Sequence, residues 1–223
     1  MTLKFLATAV IIFTFSFFSN KLIDNSNIDF AKVPVTSSLH IFSAKADGTY
    51  QADPAHTYIG FAVKHFVYNT VRGSFPKIAG SMEVRNNKIT SAEIRIQVSS
   101  ITTNHEKRDT HLKSADFFDV EKYPEITYKT NKIDESKKGL VATGDLTMHG
   151  VTKEVKINFS MSKPFKDPLT SRGQMCIVIT GKCYFDRRDF GINWSRLMDS
   201  GGLFVSNEVE IEINSEFFLP KAK

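Results

Sequence analysis

"SAEIRIQVSS", residues 91–100, alternates apolar and polar side chains with a period of two. Ile94, Ile96 and Val98 fall on one side, and Glu93, Arg95 and Gln97 on the other. Successive Cβ atoms of a strand point to opposite faces, so this pattern predicts a β-strand with one dry face and one wet face. The rhythm recurs along the chain. "HTYIGFAVKHF" (56–66) sets Ile59, Phe61 and Val63 against Tyr58, Ala62 and Lys64. "TKEVKINFSMSK" (152–163) sets Val155, Ile157, Phe159 and Met161 against Glu154, Lys156, Asn158 and Ser160. "NEVEIEINSE" (207–216) sets Val209, Ile211 and Ile213 against three glutamates. Between these lie "VRGSFPKIAGSMEVR", "PEITYKTNKI", "GLVATGDLTMHG" and "QMCIVITGKCYF", which brings the tally to about eight strands.

Turn chemistry separates them. Asn86-Asn87 and His149-Gly150 each sit between alternating runs, and the latter predicts a tight hairpin. Asp134 to Gly139 reads as a polar loop. Pro76 and Gly80 predict a break or bulge. About eight antiparallel strands with one apolar face close as a sandwich or a barrel, and closure removes exposed edges. An eight-stranded barrel is either filled by its own side chains or holds one small ligand. Gly73, Gly80, Ala142, Gly144 and Gly181 place small residues on the inward face. They leave room for a ligand or merely relieve strand bending, and composition alone leaves both readings open.

One stretch breaks the β rhythm: "TTNHEKRDTHLKSADFFDVEKYP", residues 102–124. Thr103 followed by Glu106 resembles a capping box, which predicts a short helix. Ala115, Phe117 and Phe118 suggest a further helical turn docked on apolar surface, ended by Pro124. His105 and His111 are six residues apart and do not share a helical face. A metal-dependent hydrolase built on His105, Asp109 and His111 would need a ligand from elsewhere, such as His56 or His65. No G-x-S-x-G elbow occurs, and neither cysteine has a histidine near it in sequence. The competing polar reading is structural: Arg108 and Asp109 cap helix ends or pair with Asp189 and Arg188.

Nineteen phenylalanines against one tryptophan and six tyrosines favour a dry interior. Net charge is +5, with Lys4, Lys21, Lys32 and Lys45 set against Asp24 and Asp29 near the start. The remainder is too weakly basic to argue for a nucleic-acid partner. Lys4 followed by the apolar run Phe5 to Phe18 reads as an export signal, too short for the roughly 20 residues of a spanning helix. Cleavage after Ser16, cleavage near Ala44-Lys45-Ala46, and retention as an anchor all remain open. Each places the domain outside the cytoplasm. Cys176 and Cys183 are seven residues apart in one strand, roughly 23 Å, so they read as two unpaired thiols on opposite faces.

Several motifs match a known family in order and spacing: "YQADPAHTYIGFAVKH" (50–65), "VRGSF" (71–75), "SSITTNHEKRDTHLKSADFFDVEKYPEI" (99–126), "GDLTMHGVTKEV" (144–155) and "RRDFGI" (187–192). From about Tyr50 to Glu216 the chain resembles the YceI-like family of periplasmic polyisoprenoid-binding proteins. The chain thus divides into residues 1–19, a signal peptide or N-terminal anchor; 20–49, a linker that a late cleavage would partly remove; and 50–223, the barrel domain. The resemblance falls on the last of these. It implies an all-β, eight-stranded, antiparallel, lipocalin-like barrel with a short helical insertion and an apolar internal tunnel. It also implies non-catalytic binding of a long-chain amphiphile, a polyisoprenoid or a fatty acid or amide. It further implies a homodimer in the periplasm and no cofactor, while the N-terminal apolar run gives membrane association if it is kept as an anchor. A packed barrel acting only as a protein-partner module is the other alternative. On the tunnel reading, the ligand-binding set is Ile59, Phe61, Val63, Phe75, Met82, Ile94, Ile96, Val98, Tyr128, Leu146, Met148, Ile157, Phe159, Met161, Ile177, Ile179, Phe185, Val209 and Ile211. Arg108, Asp109, His111, Arg188 and Asp189 would form a polar corner, structural or beside the head group. "INWSRLMDSGGLFVSNEV" (192–209), with Trp194, Leu197 and Met198, departs from the family pattern and predicts a rim or lid loop of its own shape.

Overall fold

A computed structural model describes residues 46–136, 139–168, 173–199 and 201–220. The predicted signal, and the linker up to residue 45, lie outside them. The strands are β1 (Gly48–His65), β2 (Asn69–Ser74), β3 (Ile78–Arg85), β4 (Lys88–Gln97), β5 (Glu125–Ser136), β6 (Gly139–Met148), β7 (Val151–Met161), β8 (Phe165–Lys166), β9 (Met175–Asp186) and β10 (Glu208–Phe218). Helix α1 (Glu106–Lys113) lies between β4 and β5. Eight strands close a ring in the order β1-β3-β4-β5-β6-β7-β9-β10, with β10 returning to β1, and every pairing is antiparallel. This is the expected eight-stranded barrel. The two extra strands are short. β2 pairs with the second half of β1, and β8 adds two residues to the edge of β9.

Local chemistry explains the punctuation. β1 runs 18 residues and shifts register between Ala52 and Thr57, around Pro54, whose ring nitrogen has no hydrogen to give the ladder. Pro76 ends one run and separates β2 from β3, as predicted, but no bulge forms at Gly80; the irregularity falls at Glu83/Val84. Asn86 and Asn87 adopt φ of 51° and 58°, and His149 and Gly150 φ of 52° and 77°. Those left-handed pairs match the right-handed twist of the strands they join. The polar residues Asp134 to Ser136 are strand rather than loop: β5 continues to Ser136, which pairs with Gly139. The barrel also begins earlier than Tyr50. Gly48 already pairs with Val84, and buried Ala46 accepts a hydrogen bond from the Tyr50 hydroxyl at 2.9 Å.

The interior falls into two clusters, one at each end. At the first end Tyr50, Met82, Val84 and Ile177 are at most 2% exposed, and with Ala52 and Phe217 they form a solid plug. Each such side chain contributes roughly 1.5–3 kcal/mol by leaving water. At the other end Phe75, Val98, Ile101, Phe117, Phe190 and Ile192 join strand residues in a looser cluster, closed by the segment containing α1 and by the turn after β9.

Candidate functional site

Between plug and helix lie two adjoining cavities of about 170 and 90 Å³. Ile59, Ile94, Tyr128, Ile157 and Ile213 line both, forming a waist. Inward alternation along every strand builds the walls. Phe61, Val63, Ile96, Leu146, Met148, Phe185, Val209 and Ile211 face the larger cavity, and Phe75 closes it beyond the end of β2. Met82, Phe159 and Ile179 face the smaller one, beside Thr57, Thr130 and Ser215. Thr57 and Ser215 satisfy each other at 2.7 Å.

Polar groups on the larger cavity are turned away from it. The Tyr128 hydroxyl donates to the carbonyl of Ala142 at 3.1 Å, and burial pushes its pKa well above the usual tyrosine range. Arg187 is 5% exposed, yet its guanidinium points out to the loop. Nε donates to Ser206 O at 3.0 Å, Nη1 to Ile192 O at 2.7 Å and Nη2 to Asn207 Oδ1 at 3.1 Å. Burial lowers its pKa, and Asp186 opposes that. Arg187 therefore ties the segment after β9 to the barrel and offers the cavity only its stem. Cys183 lines the same wall as a free thiol, and burial pushes its pKa up to about 12, so it stays neutral. Cys176 is also buried and free.

Of the predicted inward positions, three do not line a cavity. Val98 has left β4 for one turn of 3-10 helix, Ile177 belongs to the plug, and Met161 packs against it. The predicted glycines do not leave room for a ligand, because a neighbour across the strand occupies each vacancy. A Cβ on Gly73 would stand 2.4 Å from the Phe61 ring, on Gly80 2.5 Å from Ile94, and on Gly144 2.7 Å from the Tyr128 ring; on Gly181 it would press on Phe159. Only Ala142 of that set lines a cavity. The space comes instead from ring closure.

The covering elements were visible in sequence only in part. Leu112, Phe117 and Phe118 reach the larger cavity from α1 and the turns after it, and Ile192 and Val205 reach it from the segment before β10. Phe117 stacks near Trp194 at 5.1 Å, His111 lies 5.4 Å from Trp194, and Phe118 meets Phe75 edge-on at 5.9 Å. Docking of the phenylalanines is as expected, although the chain from 114 onward forms turns rather than more helix. Also absent from the predicted set were Ile126, Val155 and Ile213, which share the period-two alternation of their strands.

The polar corner is built differently from the expectation. The cap of α1 is His105, whose ring accepts from Arg108 N, and not Thr103. Thr103 instead donates its N–H and hydroxyl to Asp109 Oδ1 at 2.8 and 2.5 Å, and Thr102 donates to Oδ2 at 3.2 Å. Arg108 donates to the Thr103 hydroxyl at 2.7 Å and to its carbonyl at 2.9 Å. Burial pushes the Asp109 carboxyl up, but the threonine hydrogen bonds and the Arg108 charge outweigh it and leave the pKa lowered. Neither suggested cross-pair forms. Arg188 forks onto Asp186, Nη2 to Oδ2 at 2.5 Å, and Asp189 is exposed beside it. None of Arg108, Asp109, His111, Arg188 and Asp189 lines a cavity.

The hydrolase arrangement is not assembled. His105 caps a helix, Asp109 is held by threonines, and His111 pairs with Asp116 at 2.8 Å. Among the described residues the cluster with metal-binding spacing is Asp53, His56 and Glu216, on the outer surface, and it involves neither His65 nor the helix.

Comparison with known proteins agrees with this geometry. The YceI-like domain model matches residues 50–217. The chain belongs to the YceI-like family. A UPF0312 protein of Staphylococcus aureus is 32% identical over 167 residues, which cover 74% of this chain and 94% of that protein. Among solved structures, BcnA of Burkholderia cenocepacia superposes with a TM-score of 0.63 at 20% identity, over 74% of this chain and 98% of that one. The YceI protein of Campylobacter jejuni gives 0.60 at 23%, over 71% and 90%. A polyisoprenoid-binding domain from Saccharophagus degradans, implicated in plant cell wall breakdown, gives 0.54 at 15%, over 77% and 98%. These solved structures share the fold.

Proposed function

We propose that this barrel binds the apolar chain of an amphiphilic lipid, a polyisoprenoid or a fatty acyl chain, and carries it without chemical change. The observation that supports this most is the larger cavity, whose two polar residues, Tyr128 and Arg187, spend their donors on the protein's own carbonyls and amide oxygen. Such a wall favours a chain with no mid-chain polar groups, because any buried hydroxyl would lack a partner. The relative from Saccharophagus degradans, named for polyisoprenoid binding, points the same way.

Size refines the reading. A cavity of about 150 Å³ takes one benzene. The larger cavity, about 170 Å³, therefore holds little more than one isoprene unit's worth of carbon without movement. A longer chain threads the waist at Tyr128 or displaces the covering segments. Each buried CH₂ contributes about 0.8 kcal/mol, so a long chain binds tightly with few polar contacts. The charged start and apolar run of residues 4–18 favour work outside the cytoplasm.

Native mass spectrometry of the protein, as purified and after incubation with prenyl and fatty acyl compounds, tests the proposal. The expected result is a bound lipid of discrete mass. A barrel that stays empty throughout would refute lipid carriage. Phe61→Asp places a charge in the larger cavity and should abolish uptake.

A further inference from the structure

The β1–β2 turn breaks the turn chemistry of the β3–β4 and β6–β7 hairpins. Phe66 and Val67 hold φ of 53° and 69°, where those two hairpins use Asn-Asn and His-Gly. A β-branched residue in the left-handed region is a genuine outlier. The strain presents apolar surface to water: Phe66 is 39% exposed, Val67 59% and Tyr68 90%. Leu197, which bridges Leu203 in the segment before β10, is 67% exposed. The facing segment is joined to the turn, since Phe66 N donates to Phe204 O at 3.0 Å and His65 bridges Val205. Gly202 sits beside both Met198 and Val67, so the two apolar surfaces are continuous.

This patch stands at the cavity. Val63 and Val205, a few residues from the tip, line the larger cavity. A run of rings leads inward from it: Phe66 to Phe204 at 4.4 Å, Phe204 to Trp194 at 6.5 Å, Trp194 to Phe117 at 5.1 Å. Around the tip, Lys64, Arg72 and Arg196 are exposed, and Arg196 lies over the Phe204 ring. The acidic groups nearby are Asp199 on the facing segment and Glu208 and Glu210 on β10, with Glu210 held by Lys182 at 2.9 Å. An exposed aromatic with a polar tip, flanking bulky aliphatics and three cations suit the interface of a phospholipid bilayer. A strained turn that exposes apolar side chains is a local conflict of the kind that functional sites retain.

We propose that Phe66–Tyr68, with Leu197 and Met198, is the face by which the barrel docks on a phospholipid bilayer to exchange its lipid. This rests on the lipid-carriage reading above, and its test is independent of it. The barrel alone, residues 43–223, is the appropriate sample. It is one compact unit, and the matched region makes up 94% of the staphylococcal relative and 98% of BcnA, so relatives consist of little else. Removing residues 1–42 also removes the apolar run that would itself bind membranes.

Co-sedimentation with vesicles of mixed phosphatidylcholine and phosphatidylglycerol is compared for the native barrel and for a Val67→Asp/Tyr68→Asp variant. Both positions are exposed and neither lines a cavity, so the variant should fold. Expected is vesicle binding by the native barrel and a loss of about tenfold or more in the variant. The variant should still take up a short fluorescent fatty acid added from solution. A native barrel that stays in the supernatant, or a variant that sediments equally, overturns the docking proposal. So does a variant that loses only self-association, which would assign the tip to a second copy of the chain. Failure of the native barrel to take up the probe from solution would instead count against lipid carriage.

Discussion

The two ends of this barrel are built to different standards. At the plug end the turn residues suit their backbone, with Asn86-Asn87 in the left-handed region, and Tyr50, Val84 and Ile177 are sealed from water. At the helix end the His149-Gly150 turn also suits its backbone, but the β1–β2 turn carries Phe66 and Val67 in the same region, cavity walls such as Phe61, Ile94 and Phe185 are only partly buried, and loops rather than strands close the barrel. The plug is therefore solid, whereas at the other end sealed residues such as Val98, Ile101 and Phe190 stand beside cavity walls where a ligand can be admitted. A uniformly packed barrel would have no such gradient, and local opening of a fold is easiest where few buried apolar contacts hold it.

The largest expected effect breaks that contrast directly. Tyr50→Ala removes a fully buried ring and its hydrogen bond to Ala46, and should cost about 3–5 kcal/mol. Phe61→Ala, at a partly buried ring already facing a cavity, should cost less than half as much. Urea unfolding of both variants measures the difference. Equal losses would mean that the two ends are packed alike.

A smaller effect concerns the corner that carries α1. Asp109→Ala leaves the Thr103 N–H and two threonine hydroxyls without their acceptor, and should cost about 1–3 kcal/mol. Because its folded pKa is lowered, the carboxylate stabilises the fold above the unfolded value, about 3.9, and that contribution fades as pH falls through the folded value. Native protein should thus lose more stability than Asp109→Ala on acidification below about pH 4. Thermal melts of both across pH, falling in parallel, would show that Asp109 is not linked to folding.

The sequence readily showed what has a period. Alternation in the strands named the walls, and all but Val98, Met161 and Ile177 of the predicted positions face one cavity or the other. Those three fail because alternation tells inward from outward but not mid-barrel from end. Contacts with no period were not legible. Arg187 and Arg188 are adjacent and chemically identical, yet one is buried among loop carbonyls and the other forks onto Asp186 at the surface. Nothing local distinguishes them; the positions of Ile192, Ser206 and Asn207 do. The inward glycines left two readings open for a related reason. A missing side chain suggests space, but whether space remains depends on the residue across the ladder, and here Phe61, Ile94 and Tyr128 fill it.

The smallest predicted change is also the one whose sign is most informative. Val67→Gly keeps the backbone and removes the cost of a β-branched side chain at φ 69°, which should stabilise the fold by roughly 1 kcal/mol. Gain is expected only if the turn's geometry is imposed by the strands it joins. His65 pairing with Asn69 and bridging Val205, together with the Phe66–Phe204 hydrogen bond, imposes it from both sides. The same substitution at Asn86 should gain little, since asparagine tolerates that region. Denaturation midpoints of the two glycine variants make the comparison. If Val67→Gly raises the midpoint while weakening vesicle binding, the tip keeps a less stable residue for what it touches. If it lowers the midpoint, Val67 is held by packing beside Gly202, and the contrast between the two turns is one of local contacts.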